Sequence, residues 1–228
     1  MSTSRRNAFH VLAAAAAGLA AIGLAACSPG GGASTGDGKG LSRHEEATDL
    51  PVGSKDAKVV MVEYASITCP HCAFFHTKVL PTIKERYVDT GKVRYVFREF
   101  PTRPVEIAQA GHLIARCAGD KRNEVIDALM TRQEELFAQA QGPSGVRQFF
   151  LNVAASAGMS EERFEACLKD EALLKTLVDI RQRAIDDLKV AGTPTIFING
   201  KKFEAPTGRE ITPDDVAVAL DAALAKAS

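Results

Sequence analysis

Apolar positions along the chain fall into three rhythms, and each predicts a different kind of element. Val59-Val60-Met61-Val62-Glu63-Tyr64 is a short β-rich run in which Glu63 is the one charged residue. Immediately beyond Cys69-Pro70-His71-Cys72 the period changes. Phe75, Val79, Ile83 and Tyr87 recur every four residues, which predicts a helix ending near Thr90-Gly91 and kinked at Pro81. Val93 to Phe97 predicts a second strand, with Arg94 and Arg98 alternating onto a face that meets solvent or a charged neighbour. Strand signals then vanish. The segments 104–118, 123–139, 144–157, 160–168 and 171–190 all read as helices, with Ser144 and Ser160 as N-caps. Arg181-Gln182-Arg183 and Asp186-Asp187 read as a solvated helical face. The β pattern returns at Thr195-Ile196-Phe197-Ile198, and Asn199-Gly200 predicts a tight turn into Lys201-Lys202-Phe203. A closing helix is expected from Thr212, with Pro213 in its first turn. No internal repeat is visible.

The N-terminus has a different character. Ser4-Arg5-Arg6 precedes an Ala-rich apolar run from Val11 to Ala26, shorter than the ~18 to 20 residues that span a bilayer, so residues 1–26 read as an export signal. The twin arginines resemble a Tat address, although Phe9 falls one position late for that pattern, and the route, Sec or Tat, stays open. Leu24-Ala25-Ala26-Cys27 looks like the lipobox of bacterial lipoproteins, which implies that Cys27 carries lipid and anchors the protein to a membrane. The alternative is an ordinary cleaved signal with a chance cysteine. From Ser28 to Gly40 the chain is mostly Gly, Ser, Ala and Thr, and residues 27–52 are expected to form a flexible tether. Folded structure is expected from about residue 53 to the C-terminus as one domain with a substantial core. Lys and Arg together number 28 and Asp and Glu 28, so charge offers no reason to expect nucleic acid as a partner.

Chemistry concentrates in Cys69-x-x-Cys72. Disulfide exchange needs an attacking thiolate, a nearby thiol to resolve the mixed disulfide, and access for a partner. A motif at a strand-to-helix junction puts Cys69 beside free backbone N–H groups and the positive end of the helix, which lowers its pKa. Cys72, one turn on, lies deeper. His71 adds an N–H donor or partial positive charge nearby. A CxxC pair can also be half of a zinc site, but a closed site needs four ligands, and Cys117 and Cys167 form no second CxxC. His76 shares a helical face with Cys72, so Cys69, Cys72 and His76 could together grip copper or zinc, as in a metal-delivery lipoprotein. The redox reading stands ahead of it, and no metal or cofactor is expected.

The order of elements is β, CxxC helix, β, a block of helices, then a Pro-led hairpin and a last helix. This resembles the thioredoxin-like fold of the DsbA family, an α/β fold with a helical subdomain inserted at about 104–190. The resemblance implies that Cys69-Pro70-His71-Cys72 is an oxidant's motif rather than a reductant's. Glu63, six positions before Cys69, matches a buried acid that moves protons to and from the buried cysteine; a strand carboxylate at a sheet end, paired or solvated, is the alternative. Gly192-Thr193-Pro194 matches a cis-proline loop whose residue before the proline contacts substrate backbone; a plain edge-strand proline is the alternative. Some relatives carry a structural disulfide in the insertion, which for this chain would join Cys117 and Cys167; buried free thiols are the other possibility. The implied activity is donation of the Cys69–Cys72 disulfide to exported proteins with free thiols by a monomer that a quinone-linked membrane partner reoxidises. Reductase and isomerase are the nearest alternatives, and isomerases usually carry a preceding dimerisation domain where this chain has only a short tether.

Overall fold

The computed structural model describes residues 44–142 and 144–227. The export signal, Cys27 and the stretch from Ser28 to Gly40 lie outside the described residues.

A four-stranded sheet runs in the order β2-β1-β3-β4, formed by β1 (Val59–Ala65), β2 (Val93–Glu99), β3 (Thr195–Ile198) and β4 (Lys201–Lys202). β1 is parallel to β2 and antiparallel to β3, and β3 turns back antiparallel to β4. Every residue of β1 is buried, which explains why Glu63 alone interrupts its apolar run: a central strand covered on both faces has no solvent side to mark with alternating polar residues. Alternate side chains serve the two faces. Val59, Met61 and Ala65 pack with the helical Phe75, Val79 and Ile83 and with Val216 and Leu220 of the last helix. Val60, Val62 and Tyr64 pack with Ile180, Ala184 and Val190.

The β1–β2 crossover is a composite helix: α1 (Pro70–Phe74), a π turn (Phe75–Val79), α2 (Leu80–Ile83) and a second π turn (Lys84–Val88). Leu80 N–H bonds to Phe75 C=O at the end of the first π turn, one residue before Pro81. A proline removes one intrahelical donor and crowds the carbonyl a turn before it, so the expected kink is accommodated as a wider turn.

The helical block comprises α3 (Val105–Cys117), a 3₁₀ turn (Gly119–Lys121), α4 (Arg122–Thr131), α5 (Gln133–Gln139), α6 (Gly145–Ser156), α7 (Glu161–Leu168) and α8 (Glu171–Asp186). One helix is expected over 123–139, but the chain breaks at Arg132 (φ −105°, ψ 23°). Ser160 caps α7 by accepting from Arg163 N–H, and Asp170 caps α8 in the same way. Ser144, expected to do likewise, makes no side-chain cap bond. Helix α8 stops four residues short of the expected Val190, because Lys189 takes a left-handed φ of 54° and Val190 N–H folds back onto Ala184 C=O. As expected, Gln182, Arg183, Asp186 and Asp187 face solvent; Arg181 is the exception, half-buried and donating to Pro101 C=O, while the exposed Arg183 pairs with Glu46 at 2.7 Å. The sulfurs of Cys117 and Cys167 are bonded, linking α3 to α7 with a Cα separation of 6.2 Å. Helix α9 (Pro213–Ala227) closes the fold.

Residues 44–52 depart from the expected tether. Val52 exchanges backbone hydrogen bonds with Tyr95 at 2.8 and 2.9 Å, beside the outer edge of β2. Arg98 donates to both oxygens of Asp49, at 3.0 and 2.7 Å, and to Tyr64 Oη, while Arg94 lies 2.6 Å from Glu45. The expected charged neighbours of the two arginines are therefore supplied by this segment, and the domain begins before residue 53.

Candidate active site

β1 delivers its chain into the turn Ser66-Ile67-Thr68, which hydroxyl groups hold in place. Ser66 Oγ accepts from Thr102 N–H at 3.1 Å and meets Thr68 Oγ1 at 2.9 Å. The break between α4 and α5 has its purpose here. Gln133, buried at the start of α5, sends its side-chain amide to Ile67 C=O at 2.8 Å and Cys69 C=O at 3.0 Å. Cys69 thus stands at the N-cap in an extended conformation (φ −89°, ψ 118°), with Pro70 beginning the helix.

Cys69 is 9% exposed and Cys72 fully buried, and both are thiols. The Cys69 thiol donates to Thr193 C=O at 3.3 Å, and the Thr193–Pro194 peptide is cis. The Cys69 pKa is lowered to about 6. A hydrogen bond from the Cys72 thiol is the main cause; burial opposes it, and the Thr193 side chain together with the N–H groups of Cys72 and His71 assists. Cys72 is driven the other way, by burial first and then by the negative charges of Cys69 and Glu63. One sulfur is therefore a thiolate at neutral pH and the other its hydrogen-bond donor.

The His71 ring is engaged by Glu210. Its Nδ1 lies 2.7 Å from Glu210 Oε1, and its side chain is mostly exposed. What His71 offers Cys69 is its backbone N–H. Phe74, Pro194, Pro206, Arg209 and Ile211 line a groove of about 160 Å³ together with the His71–Glu210 pair.

Glu63 is fully buried. Its Oε2 accepts from Tyr95 Oη at 2.6 Å and lies 3.3 Å from His76 Nε2. On the other side of the ring, His76 Nδ1 is 3.6 Å from Asp127 Oδ1. Burial alone would depress the His76 pKa, but the carboxylates of Glu63 and Asp127 outweigh it and raise the value to about 9. Both nitrogens of His76, a possible metal ligand by spacing, thus face carboxylates. Tyr95, Asp127, Gln133 and Glu210 join the site without a sequence signal. Only for Tyr95 could one have existed: β1 and β2 pair Met61 with Tyr95 and Glu63 with Phe97, so knowledge of the register would have put Tyr95 near the acid.

An acidic sulfur at a helix N-terminus, a buried resolving thiol and an adjoining groove make up a thiol–disulfide exchange site. Among the described residues no helix is long and apolar enough to cross a membrane. Comparison with known proteins agrees with the site. The family model described as "Thioredoxin" matches residues 45–222. A Rickettsia bellii protein named "Putative protein-disulfide oxidoreductase" is 32% identical over 161 residues, covering 70% of this chain and 60% of that protein. The chain therefore spans about three-fifths of that relative's length. "Probable disulfide bond formation protein D" of Bacillus anthracis is 26% identical over 71% of this chain and 75% of its own. Among solved structures, alpha-DsbA1 of Wolbachia pipientis superposes with a TM-score of 0.70 at 25% identity, over 80% of this chain and 94% of that one. From the family match, the Cys69–Cys72 site and the helical insertion together, this chain belongs to the thioredoxin family, in its DsbA-like form.

Proposed function

We propose that this protein oxidises the thiols of exported proteins by donating the Cys69–Cys72 disulfide. The observation that carries the reading is the asymmetry of the pair: a Cys69 pKa of about 6 beside a Cys72 thiol pushed far up. A substrate thiolate attacks Cys69 Sγ of the disulfide; the S–S bond breaks, and its electron pair leaves with Cys72, which takes up a proton. A second substrate thiolate then attacks the substrate sulfur of the mixed disulfide and expels Cys69 as a stable thiolate, a good leaving group because its pKa is low. Thr193, beside Cys69 at the cis-Pro194 loop, aligns the substrate backbone. Glu63 supplies and recovers the proton of Cys72. Cys117 and Cys167 brace the insertion away from the chemistry.

The same reading places the protein outside the cytoplasm after removal of residues 1–26, anchored by lipid on Cys27. It acts as a monomer without cofactor, and a quinone-linked membrane partner restores its disulfide. The mass of the mature N-terminal peptide tests the anchor, which an unmodified terminus at another residue would remove.

Two measurements test the activity. Cys72→Ser should accumulate mixed disulfides through Cys69 in cells, whereas Cys69→Ser should trap none. The reduction potential of the pair should lie above the thioredoxin value of about −270 mV, toward the oxidising end of the family's range near −120 mV. A potential at or below the thioredoxin value would make the protein a reductase.

A further inference from the structure

His76 is a buried imidazole between two carboxylates, outside the pair of cysteines but connected to it. Its side chain is 3% exposed, that of Glu63 is closed to solvent, and that of Asp127 is 51% exposed. The three groups therefore run from the protein interior to its surface, from Glu63 on β1 through His76 on the π turn to Asp127 on α4. Phe75 and Phe97 meet the ring edge-on at 6.5 and 5.7 Å and hold its plane. Asp127 Oδ2 is 3.9 Å from Lys84 Nζ, leaving Oδ1 to face His76. Glu63 Oε2 is engaged by Tyr95 and His76, while the buried Oε1 has no hydrogen-bond partner among the described residues. An orphaned carboxylate oxygen in the interior is costly unless it has work to do, and here it lies on a group whose charge Cys72 feels.

We propose that His76, oriented by Asp127, is the proton reservoir that charges Glu63 each time the Cys69–Cys72 disulfide opens. The inference rests on the proposed role of Glu63 as the acid serving Cys72. When the disulfide opens, His76 gives its Nε2 proton to Glu63 and Glu63 passes one proton to the Cys72 sulfur. His76 is left neutral, with Nδ1–H facing Asp127 Oδ1 across 3.6 Å, an electrostatic contact longer than a hydrogen bond. One proton moves and no electrons move with it, since those of the broken bond already reside on Cys72. Reoxidation runs the transfer backwards, from Cys72 to Glu63 to Nε2, so the ring recovers its charge without turning over in its packed site. A carboxylate that fixes the far nitrogen of an imidazole sets both its tautomer and its basicity, and that is the part given to Asp127. The charged and titratable groups facing the ring are Glu63 from β1, Tyr95 from β2 and Asp127 from α4, with Lys84 beyond Asp127 and Cys72 beyond Glu63.

The test is the rate at which a small dithiol opens the oxidised full-length protein, divided by the concentration of attacking thiolate and followed from pH 6 to 10. The His76 ring is titrated by NMR in the same samples. Wild type should hold its per-thiolate rate until the ring deprotonates near pH 9. Asp127→Asn should move both the ring titration and the fall in rate to lower pH together. His76→Gln should slow opening about tenfold or more, the lower part of the range for a positioned acid or base, and adding it to Glu63→Gln should cost nothing further. If Glu63→Gln slows opening while His76→Gln and Asp127→Asn keep the wild-type rate and profile, His76 is only a counterion and the proposal fails, although Glu63 keeps its role. A Glu63→Gln variant that opens at the wild-type rate overturns both. Should His76→Gln not fold, Asp127→Asn decides alone, because Asp127 lies at the surface.

Discussion

Cys69 Sγ lies 3.3 Å from the carbonyl oxygen of Thr193, although 124 positions separate the two residues in the chain. The contact exists because β3 pairs antiparallel with β1, which brings the loop before β3 back to the end of the strand that leads into the cysteines.

The reduced protein should gain stability from the Cys69 thiolate, which the disulfide form lacks. With a folded pKa of about 6 and an unfolded thiol pKa of about 8.5, the gain at pH 7 is about 1.4 kcal/mol. A lowered pKa contributes in full above the unfolded value and is lost as pH falls through the folded one. Cys72 is protonated in both states at pH 7 and adds nothing there. Denaturant melts of the two redox forms should show the reduced form's advantage growing from pH 5 to pH 8.5.

Because the Cys72 hydrogen bond is the main cause of the low Cys69 pKa, Cys72→Ala should raise that pKa more than His71→Ala does. The His71 ring is engaged by Glu210, and its backbone N–H survives the substitution. Thiolate absorbance near 240 nm, titrated in each variant, measures both shifts. A larger effect of His71→Ala would mean that the ring reaches the sulfur in solution.

Gln133→Leu should destabilise the domain by about 1–3 kcal/mol, since it removes the amide that serves Ile67 C=O and Cys69 C=O inside the protein. It should also loosen the turn that aims Cys69. Thermal melts together with dithiol reaction rates would separate the two effects: Gln133→Glu, which fills the same space without two donors, should show both.

Replacing Cys117 and Cys167 together by Ala should cost about 2–4 kcal/mol, as expected when a loop of this length loses its cross-link. The Cys69 pKa should not move. Peptide mapping without reductant should recover the linked pair from wild type, and two alkylatable thiols there would remove the cross-link from the structure.

The periodicities alone were enough to set out the order of strands and helices, the strand-to-helix junction carrying Cys69 and Cys72, and the return of β structure at Thr195. These are local properties: a period of two or near four, a proline at a helix start and a CxxC spacing are all written within a few residues of one another. Element ends were less legible. The break at Arg132 and the early stop of α8 at Asp186 follow from contacts and backbone turns that no short window records. The same holds for residues 44–52, polar enough to read as a tether but held by Arg94 and the buried Arg98 of β2. The chemistry divides along this line. Local sequence was enough to nominate Cys69 and Cys72, and the family resemblance to nominate Glu63, Thr193 and Pro194, but only the tertiary fold decided what else surrounds them: Gln133 behind the turn, His76 between Glu63 and Asp127, and His71 turned toward Glu210. Each of these is a side-chain meeting across elements far apart in the chain, set by strand register and helix packing, and so it has no counterpart in the spacing of neighbouring residues.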